Sequence, residues 1–333
     1  MRHGPRLLIR LGSLGDVILA TAAASAWKER LGDDPLDVLV KQEWAGVFDR
    51  HPAVRAVRVW RPEERGVGGL LAWAARLRQA GYVEAADLQG TTRTRCLTVL
   101  AGVPVAGRPK KYTRARRTLV RRKTDGPPTG FRVVESFVRA VGGGDALPGV
   151  YPGPDARGRA EELLGGAGPV GLVPGARHAT KQWPLERFVR VGLALRERWG
   201  LPVPLFLGPD EERLAREFEE AGETGAWRPV RESIATAAAA LARCRVVITG
   251  DTGLMHLAAA VGTPVVALFG PTVLEFGFSP AGPSHHVLER ELPCRPCSVH
   301  GGPVCPREHF RCMLDINEEE VLRAVDAVLG AAA

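Results

Sequence analysis

The chain has 333 residues, is 45% hydrophobic and carries a net charge of +8. That length exceeds one comfortable core and predicts two domains, and no unbroken apolar run is long enough to give a helical bilayer span. Charge is uneven: residues 1–150 hold 26 basic and 14 acidic side chains and residues 151–333 hold 19 and 23, so an anionic partner is expected to meet the N-terminal half. Short runs of Val, Ile and Leu alternate with Ala/Leu/Arg helical stretches throughout, which predicts a parallel α/β architecture.

Leu7 to Leu11 is the first predicted strand, Gly12-Ser13-Leu14-Gly15-Asp16 the turn after it, and Val17 to Trp27 the helix that follows. Arg2 and Arg6 ahead of an apolar stretch loosely resemble a secretion signal, but Arg10, Gly12 and Asp16 interrupt it, and a cytoplasmic location with six reduced or metal-bound cysteines is the expectation. The two glycines let a ligand approach the backbone. Asp16 falls at the carboxyl end of the sheet, where open α/β folds bind substrates, although an acid in a first helical turn also suits the helix dipole.

Asp37–Val40 and Val54–Trp60 are the next strands, Leu70–Gln79 a helix and Tyr82–Leu88 a fourth strand ending in Asp87-Leu88-Gln89-Gly90. Gln89 and Arg93 therefore stand at another strand's carboxyl end. From Thr91 to Thr124 there is no acidic residue, and the run from Arg108 to Lys123, with Arg114, Arg117 and Arg121 in it, predicts an anionic partner: a glycolipid's acid groups, a membrane surface or nucleic acid. A solvated face is the plainer reading of such a run. Gly142-Gly143-Gly144 and Pro148 to Pro154 mark the linker, which gives domains of 1–150 and 151–333.

In the second half a helix is predicted over Asp155–Leu164 and a strand over Val170–Val173, followed by Pro174-Gly175-Ala176 and Lys181-Gln182-Trp183-Pro184. A lysine just before a helix can set an ammonium over a phosphate. After the strand around Leu205–Leu207, Asp210 and Glu211 lie where a carboxylate can accept from a ribose diol, or merely complement the helix dipole. Val246–Thr249 is a buried strand, and Gly250-Asp251-Thr252-Gly253 opens a helix near Leu254 that carries His256. Its first N–H groups favour a phosphate. On pattern alone the same stretch is also a plain capped βαβ unit with a core histidine. Val265–Phe269 follows as a strand, and Glu318–Leu329 is a final amphipathic helix.

Cys294, Cys297, Cys305 and Cys312, with His300 and His309 among them, have a spacing that suits a structural zinc or an iron–sulfur cluster, because four soft thiolates can close a tetrahedron. Reduced thiols or two disulfides are the alternatives. Cys96 and Cys244 read as buried packing residues.

With these pieces together the chain resembles glycosyltransferase family 9, the ADP-heptose:lipopolysaccharide heptosyltransferases, over nearly its whole length. The matching stretches are Leu8–Val17, Asp87–Gly90, Pro174–Ala176 with Lys181–Pro184, and above all Gly250–Ala258 with Gly262–Pro264. The resemblance implies a GT-B architecture, two Rossmann-like domains facing across a cleft, and an inverting, metal-independent transfer from ADP-heptose to the inner core of lipopolysaccharide. No cofactor is then needed for catalysis; the sequence holds no D-x-D pair of the kind that grips a diphosphate-bound metal. Asp16 matches the family's base. Lys181 and the Thr252-Gly253-Leu254 turn match its diphosphate contacts, with Asp210, Glu211, Asp251 and His256 beside them. Ser13, Gln89, Arg93, Arg114, Arg117 and Arg121 are the expected acceptor contacts, for an acidic glycolipid such as Kdo-lipid A at the cytoplasmic face of the inner membrane. Leu19 departs from members that carry histidine there, which leaves the exact sugar and acceptor open.

Two other readings compete. A GT-B-like sugar-nucleotide epimerase or hydrolase keeps the fold and dispenses with the acceptor. A metal-stapled nucleic-acid-binding protein uses the basic run and the cysteines, but only Tyr112 is at hand for stacking and the glycine turns go unexplained, so no nucleic acid is expected.

Overall fold

Buried runs of Val, Ile and Leu pair here as parallel strands, and the amphipathic stretches between them return as crossover helices, the connection that parallel pairing requires. The computed structural model describes residues 3–165, 168–200, 202–221 and 225–331. In chain order its elements are β1 (Arg6–Ile9), α1 (Leu14–Leu31), β2 (Leu36–Lys41), β3 (Ala56–Trp60), α2 (Val67–Gln79), β4 (Glu84–Asp87), α3 (Thr92–Ala101), β5 (Val105–Gly107), α4 (Thr113–Arg122) and α5 (Val133–Ala140). There follow α6 (Pro154–Leu164), β6 (Val170–Val173), α7 (Leu185–Trp199), β7 (Val203–Phe206), α8 (Glu212–Ala221), β8 (Trp227–Val230), α9 (Ile234–Leu241), β9 (Val246–Gly250), α10 (Gly253–Ala260), β10 (Val265–Phe269), β11 (His285–Glu289), α11 (Arg311–Leu314) and α12 (Glu318–Ala331). Among the described residues no helix is long and apolar enough to cross a membrane.

Contacts divide the chain into two units, Met1–Lys111 with Val133–Tyr151 and Tyr112–Arg132 with Pro152–Ala333. The first holds a parallel sheet of order β3-β2-β1-β4-β5, the second a parallel sheet of order β11-β10-β9-β6-β7-β8. Both are Rossmann orders: in each, the chain builds outward one way from the first strand, then crosses back and builds the other way. The switch lies between β1 and β4 in one unit and between β6 and β9 in the other. Leu8 registers with Val38 and Ala86, and Leu172 with Ile248 and Leu205, so the first strand of each sheet is fully flanked.

In the first unit Leu7, Ile9 and Leu11 point to one face and pack with Trp60, Trp73 and Leu77 of the α2 side and Leu97 of α3. Alternation sends Leu8 and Arg10 to the other face, where α1 and α5 pack together and Arg10 lies over the Phe137 ring at 5.2 Å. In the second unit Leu172, Val246, Ile248, Val266 and Leu268 share a core with Phe188, Phe218, Met313 and Val325. Truncating a fully buried ring such as Phe188 to alanine costs about 3–5 kcal/mol.

The segment 112–132 leaves the first unit and docks on the second. Its Arg116 donates to the Phe276 carbonyl at 2.5 Å and stacks on Phe131 and Phe278, while Lys123 Nζ donates to the carbonyls of Pro296 at 2.6 Å and Cys294 at 3.0 Å. Arg114, Arg117 and Arg121, expected in residues 1–150, therefore belong to a helix of the second unit. They recur at intervals of three and four and stay exposed on α4, whose other face carries the docking residues.

Two buried ionisable groups brace the first unit. Asp37 is fully buried; burial alone would raise its pKa, but hydrogen bonds from Arg55 at 2.8 Å, Tyr82 at 2.6 Å and Arg58 hold it below the ordinary carboxylate value. His51 sits between the rings of Phe48 and Tyr151, and burial pushes its pKa down to about 4. A histidine depressed in the folded state contributes stability above its unfolded value and loses it as pH falls toward the folded one. From pH 7 to pH 5 the loss attributable to His51 is about 2 kcal/mol. Urea midpoints of the wild type and His51→Phe should therefore diverge in their pH slope over that window, the variant being flatter; equal slopes would contradict this assignment.

Candidate active site

The strand order brings β1 and β4 side by side, so the two turns that leave their carboxyl ends meet. After β1, Gly12 has φ +154°, a conformation that L side chains rarely adopt, and a Cβ there would press on the Trp44 indole nitrogen at 3.3 Å. Ser13 occupies the N-cap position of α1 without capping it; its hydroxyl instead donates to Asp16 Oδ2 at 3.0 Å. Asp16, in the first turn of α1, is also paired with Arg10 Nη2 at 2.6 Å. Arg10 is itself buried and anchored to the Leu88 carbonyl at 2.7 Å, so the carboxylate is aimed by a guanidinium that cannot swing away.

Across the switch, Gln89 Oε1 accepts from Leu11 N–H at 3.0 Å and its own N–H reaches the Ile9 carbonyl. Lys111 Nζ donates to the Gln89 carbonyl. Lost hydration, then repulsion from Arg10, draws the Lys111 pKa below the ordinary lysine value despite Asp87 and Asp16 nearby. Asp87 is fully buried and holds Gly90 N–H at 2.7 Å and Thr94 Oγ1 at 3.0 Å, which ties the β4 turn to α3. Ser13, Asp16 and Gln89 are thus gathered at one switch point. Arg93 stands apart on the exposed face at the start of α3, lining a small cavity with Lys41, Trp60 and Arg65.

The second switch point joins the turns after β6 and β9. The short turn Ala179–Lys181 lies against the end of β9 so closely that a Cβ on Gly250 would fall 2.7 Å from the Lys181 carbonyl oxygen. Lys181 Nζ pairs with Asp251 Oδ2 at 2.6 Å, and Thr272 Oγ1 donates to the same oxygen at 2.8 Å. Thr252 is the N-cap of α10 and its hydroxyl accepts from Met255 N–H at 3.4 Å; the amides of Gly253 and Leu254 begin the helix. Burial and the charges of Lys181 and Arg177 keep His178 below the ordinary histidine value. An ammonium, a helix N-terminus and a second cation close by make this turn electropositive, which suits a diphosphate.

The remaining expected donor contacts take different places. Glu211 accepts from Gly208 N–H at 2.7 Å and leans over Gly175, where a Cβ would come within 2.0 Å of its carboxylate, so it joins the turn after β7 to the turn after β6. Asp210 is exposed in the turn before α8. His256 is buried on α10, its ring 6.5 Å from that of Phe278.

The cysteines do not form the expected ligand set: among the described residues no group of three or more His, Cys, Asp or Glu side chains is arranged to hold a metal ion. All six are free thiols. Cys297 Sγ points to the Cys294 carbonyl at 3.1 Å, Cys294 Sγ lies 3.7 Å from His309 Nε2, and burial raises Cys297 and Cys312 to about 11 each. What the segment does is pack: Gly302 exchanges hydrogen bonds with Thr180 through its N–H at 2.8 Å and its carbonyl at 3.0 Å, which supports the Lys181 turn from outside. Cys96, expected to be buried, is exposed on α3.

The profile described as Glycosyltransferase family 9 (heptosyltransferase) matches residues 71–304, more than half of the chain. The chain belongs to glycosyltransferase family 9. It is 30% identical over 341 residues to Lipopolysaccharide heptosyltransferase 1 of Pseudomonas aeruginosa, covering 95% of this chain and 92% of that protein. Among solved structures it superposes on the glycosyl transferase family 9 from Veillonella parvula with a TM-score of 0.83 at 20% identity, covering 98% and 97% of the two chains. The E. coli heptosyltransferase WaaC with ADP gives 0.71 at 19% identity, covering 97% and 99%. At those identities the likeness concerns fold, and it agrees with a GT-B glycosyltransferase of two Rossmann-like units.

Within this glycosyltransferase the profile match contains Lys181 and Asp251–Gly253 but begins after Asp16. Sequence patterning placed Asp87 at the end of the fourth strand without giving it a role, and missed Arg10 and Thr272 as parts of the two turns. Arg10 and Asp87 leave a signal that can be used, a charge inside or at the end of an otherwise apolar strand; Thr272 leaves none. The close approach at Gly250 predicts that Gly250→Ala costs about 2 kcal/mol in urea unfolding, because the backbone of the Lys181 turn must move. Gly158→Ala, in open space within α6, should be neutral or slightly stabilising. Equal effects at the two positions would remove the steric argument.

Proposed function

We propose that this family 9 glycosyltransferase moves a heptose from ADP-heptose to an acidic inner-core acceptor of lipopolysaccharide, with inversion and without a catalytic metal. The single observation that carries the reading is the pairing of unlike sites: a carboxylate aimed by Arg10 at the switch point of one Rossmann sheet, and an ammonium beside a helix N-terminus at the switch point of the other. The names of its relatives, a lipopolysaccharide heptosyltransferase and a heptosyltransferase with ADP, support these substrates.

In this reading the acceptor hydroxyl attacks the anomeric carbon while the bond to the diphosphate breaks. Positive charge builds on the sugar, so proton transfer can lag behind bond formation, and a carboxylate of ordinary basicity suffices. Asp16 takes that proton, and Arg10 and Ser13 keep it pointed. Negative charge builds on the leaving ADP, where Lys181 and the amides at the start of α10 neutralise it. Asp251 holds Lys181 in place until the diphosphate arrives. Glu211, beside the Gly175 turn, accepts from the ribose in this reading. Ser13 and Gln89 contact the acceptor, and the exposed Arg114, Arg117 and Arg121 face of α4 takes its acid groups. The glycolipid acceptor puts the enzyme at the cytoplasmic face of the inner membrane.

Asp16→Asn tests the assignment because the amide keeps the size and the hydrogen bond from Arg10 but cannot accept the proton. Melting-temperature shifts with ADP should match the wild type, and should exceed those with UDP or GDP, while transfer of labelled heptose falls by at least about 100-fold. Retained transfer removes Asp16 from the role of base. Release of free sugar or of an epimer in place of a labelled glycolipid would favour the hydrolase or epimerase reading.

A further inference from the structure

We propose that Thr272 is a positioning residue of the diphosphate site: its hydroxyl keeps Asp251 hydrogen-bonded when Lys181 leaves that carboxylate for a phosphate. Asp251 Oδ2 carries two donors at once, Lys181 Nζ at 2.6 Å and Thr272 Oγ1 at 2.8 Å. The side chains of Lys181 and Asp251 are only 14% and 10% exposed and Thr272 is 2% exposed, so little water can replace either donor. An ammonium that moves from such a carboxylate to a ligand leaves a largely buried anion behind, and a buried acceptor stripped of its donors is costly. With Thr272 in place, Oδ2 still accepts one hydrogen bond after the move. The hydroxyl therefore lowers the cost of releasing Lys181 and raises the affinity of the turn for a diphosphate.

What keeps the hydroxyl aimed is a buried guanidinium from the cysteine-bearing segment. Arg295, its side chain 4% exposed, donates to the carbonyls of Gly270 at 2.5 Å, Thr272 at 2.7 Å and Phe269 at 3.3 Å, and pairs with Glu289 at 2.8 Å. The N–H of Cys297 donates to the Pro271 carbonyl at 3.0 Å. All four carbonyls from Phe269 to Thr272 are thus held by Arg295 and Cys297, so the turn that leaves β10 has little freedom to rotate Thr272 away. A rigid fork of five donors can gather neighbouring carbonyls in this way, and a lysine could not. The same turn packs against the lysine turn: a Cβ on Gly270 would fall 3.1 Å from the Thr180 carbonyl oxygen. The cysteine-bearing segment therefore reaches the site twice, through Gly302 on Thr180 and through Arg295 on Thr272.

The inference rests on the reading of this turn as the diphosphate site and on nothing about the sugar or the acceptor. It is tested by titration calorimetry of the full-length protein with inorganic pyrophosphate, and with ADP, in the presence of EDTA. Thr272→Val removes the donor and should bind both probes about tenfold more weakly than the wild type, whereas Thr272→Ser, which keeps the hydroxyl, should bind them as the wild type does. In an Asp251→Asn background Lys181 leaves no carboxylate behind, so adding Thr272→Val should change the affinity by less than about twofold. A Thr272→Val protein with a lowered melting temperature and wild-type affinity overturns the proposal, because Thr272 would then only support the fold. Equal weakening by Thr272→Val in both backgrounds also overturns it, as does a Thr272→Ser protein that binds no better than the valine variant. A wild type that binds neither probe removes the diphosphate site and this role with it. The expected ratios in an enzyme that fails to transfer heptose count against the proposed reaction and leave the role of Thr272 standing.

Discussion

The contact around which the second unit's switch point is built is the ion pair between Lys181 and Asp251, two residues seventy positions apart that the sheet order forces together. A part-buried ammonium needs a partner, and Asp251 provides one within the same unit, with Thr272 steadying the carboxylate. Gly250 is what permits the approach: any side chain there would collide with the backbone of the lysine turn. The cysteine-bearing segment braces that turn from its other side through Gly302 and Thr180. In the proposed reaction this preset cation beside a helix N-terminus meets the negative charge of a leaving diphosphate with little reorganisation beyond its release from Asp251.

The first unit applies the same construction to the opposite sign. Its switch point presents a carboxylate, Asp16, oriented by the buried Arg10, which in turn is fastened to the Leu88 carbonyl and to the ring of Phe137. In both units the functional group stands at the carboxyl end of the first strand and its support comes from the fourth, because only there do two adjacent strands send their turns in opposite directions and leave a crevice. One fold is used twice, with an anion in one crevice and a cation in the other, which is the arrangement that the proposed proton acceptor and leaving-group site call for.

Much of this was legible in the residues. Val170–Val173 and Val265–Phe269 are continuous apolar runs buried on both faces, and their bounds in the structure are those the pattern predicts. The edge strands were not: β11 is His-His-Val-Leu-Glu and β8 is Trp-Arg-Pro-Val, half-exposed sequences whose place is decided by a neighbour that they pair with rather than by their own periodicity. The turns carrying Asp16, Lys181 and Asp251 could be found because glycine and capping residues mark them. That Lys181 would be held by Asp251, or Asp16 by Arg10, requires the strand order. The basic run shows the same limit: absence of acids predicts an anionic partner, but α4 docks on the second unit through the carbonyls of Phe276, Cys294 and Pro296, and carbonyls have no sequence signature. The cysteine spacing misled for a related reason, since spacing cannot say which way the thiols turn, and here Cys297 turns to a carbonyl.

The central claim is that protein charge alone, one ammonium and the first amides of α10, neutralises the departing diphosphate. It is tested most directly by the initial rate of heptose transfer from ADP-heptose to a glycolipid acceptor, measured in excess EDTA and again with added Mg²⁺ or Mn²⁺. The account predicts the same rate in both. Transfer that stops in EDTA and returns with the divalent cation would contradict it.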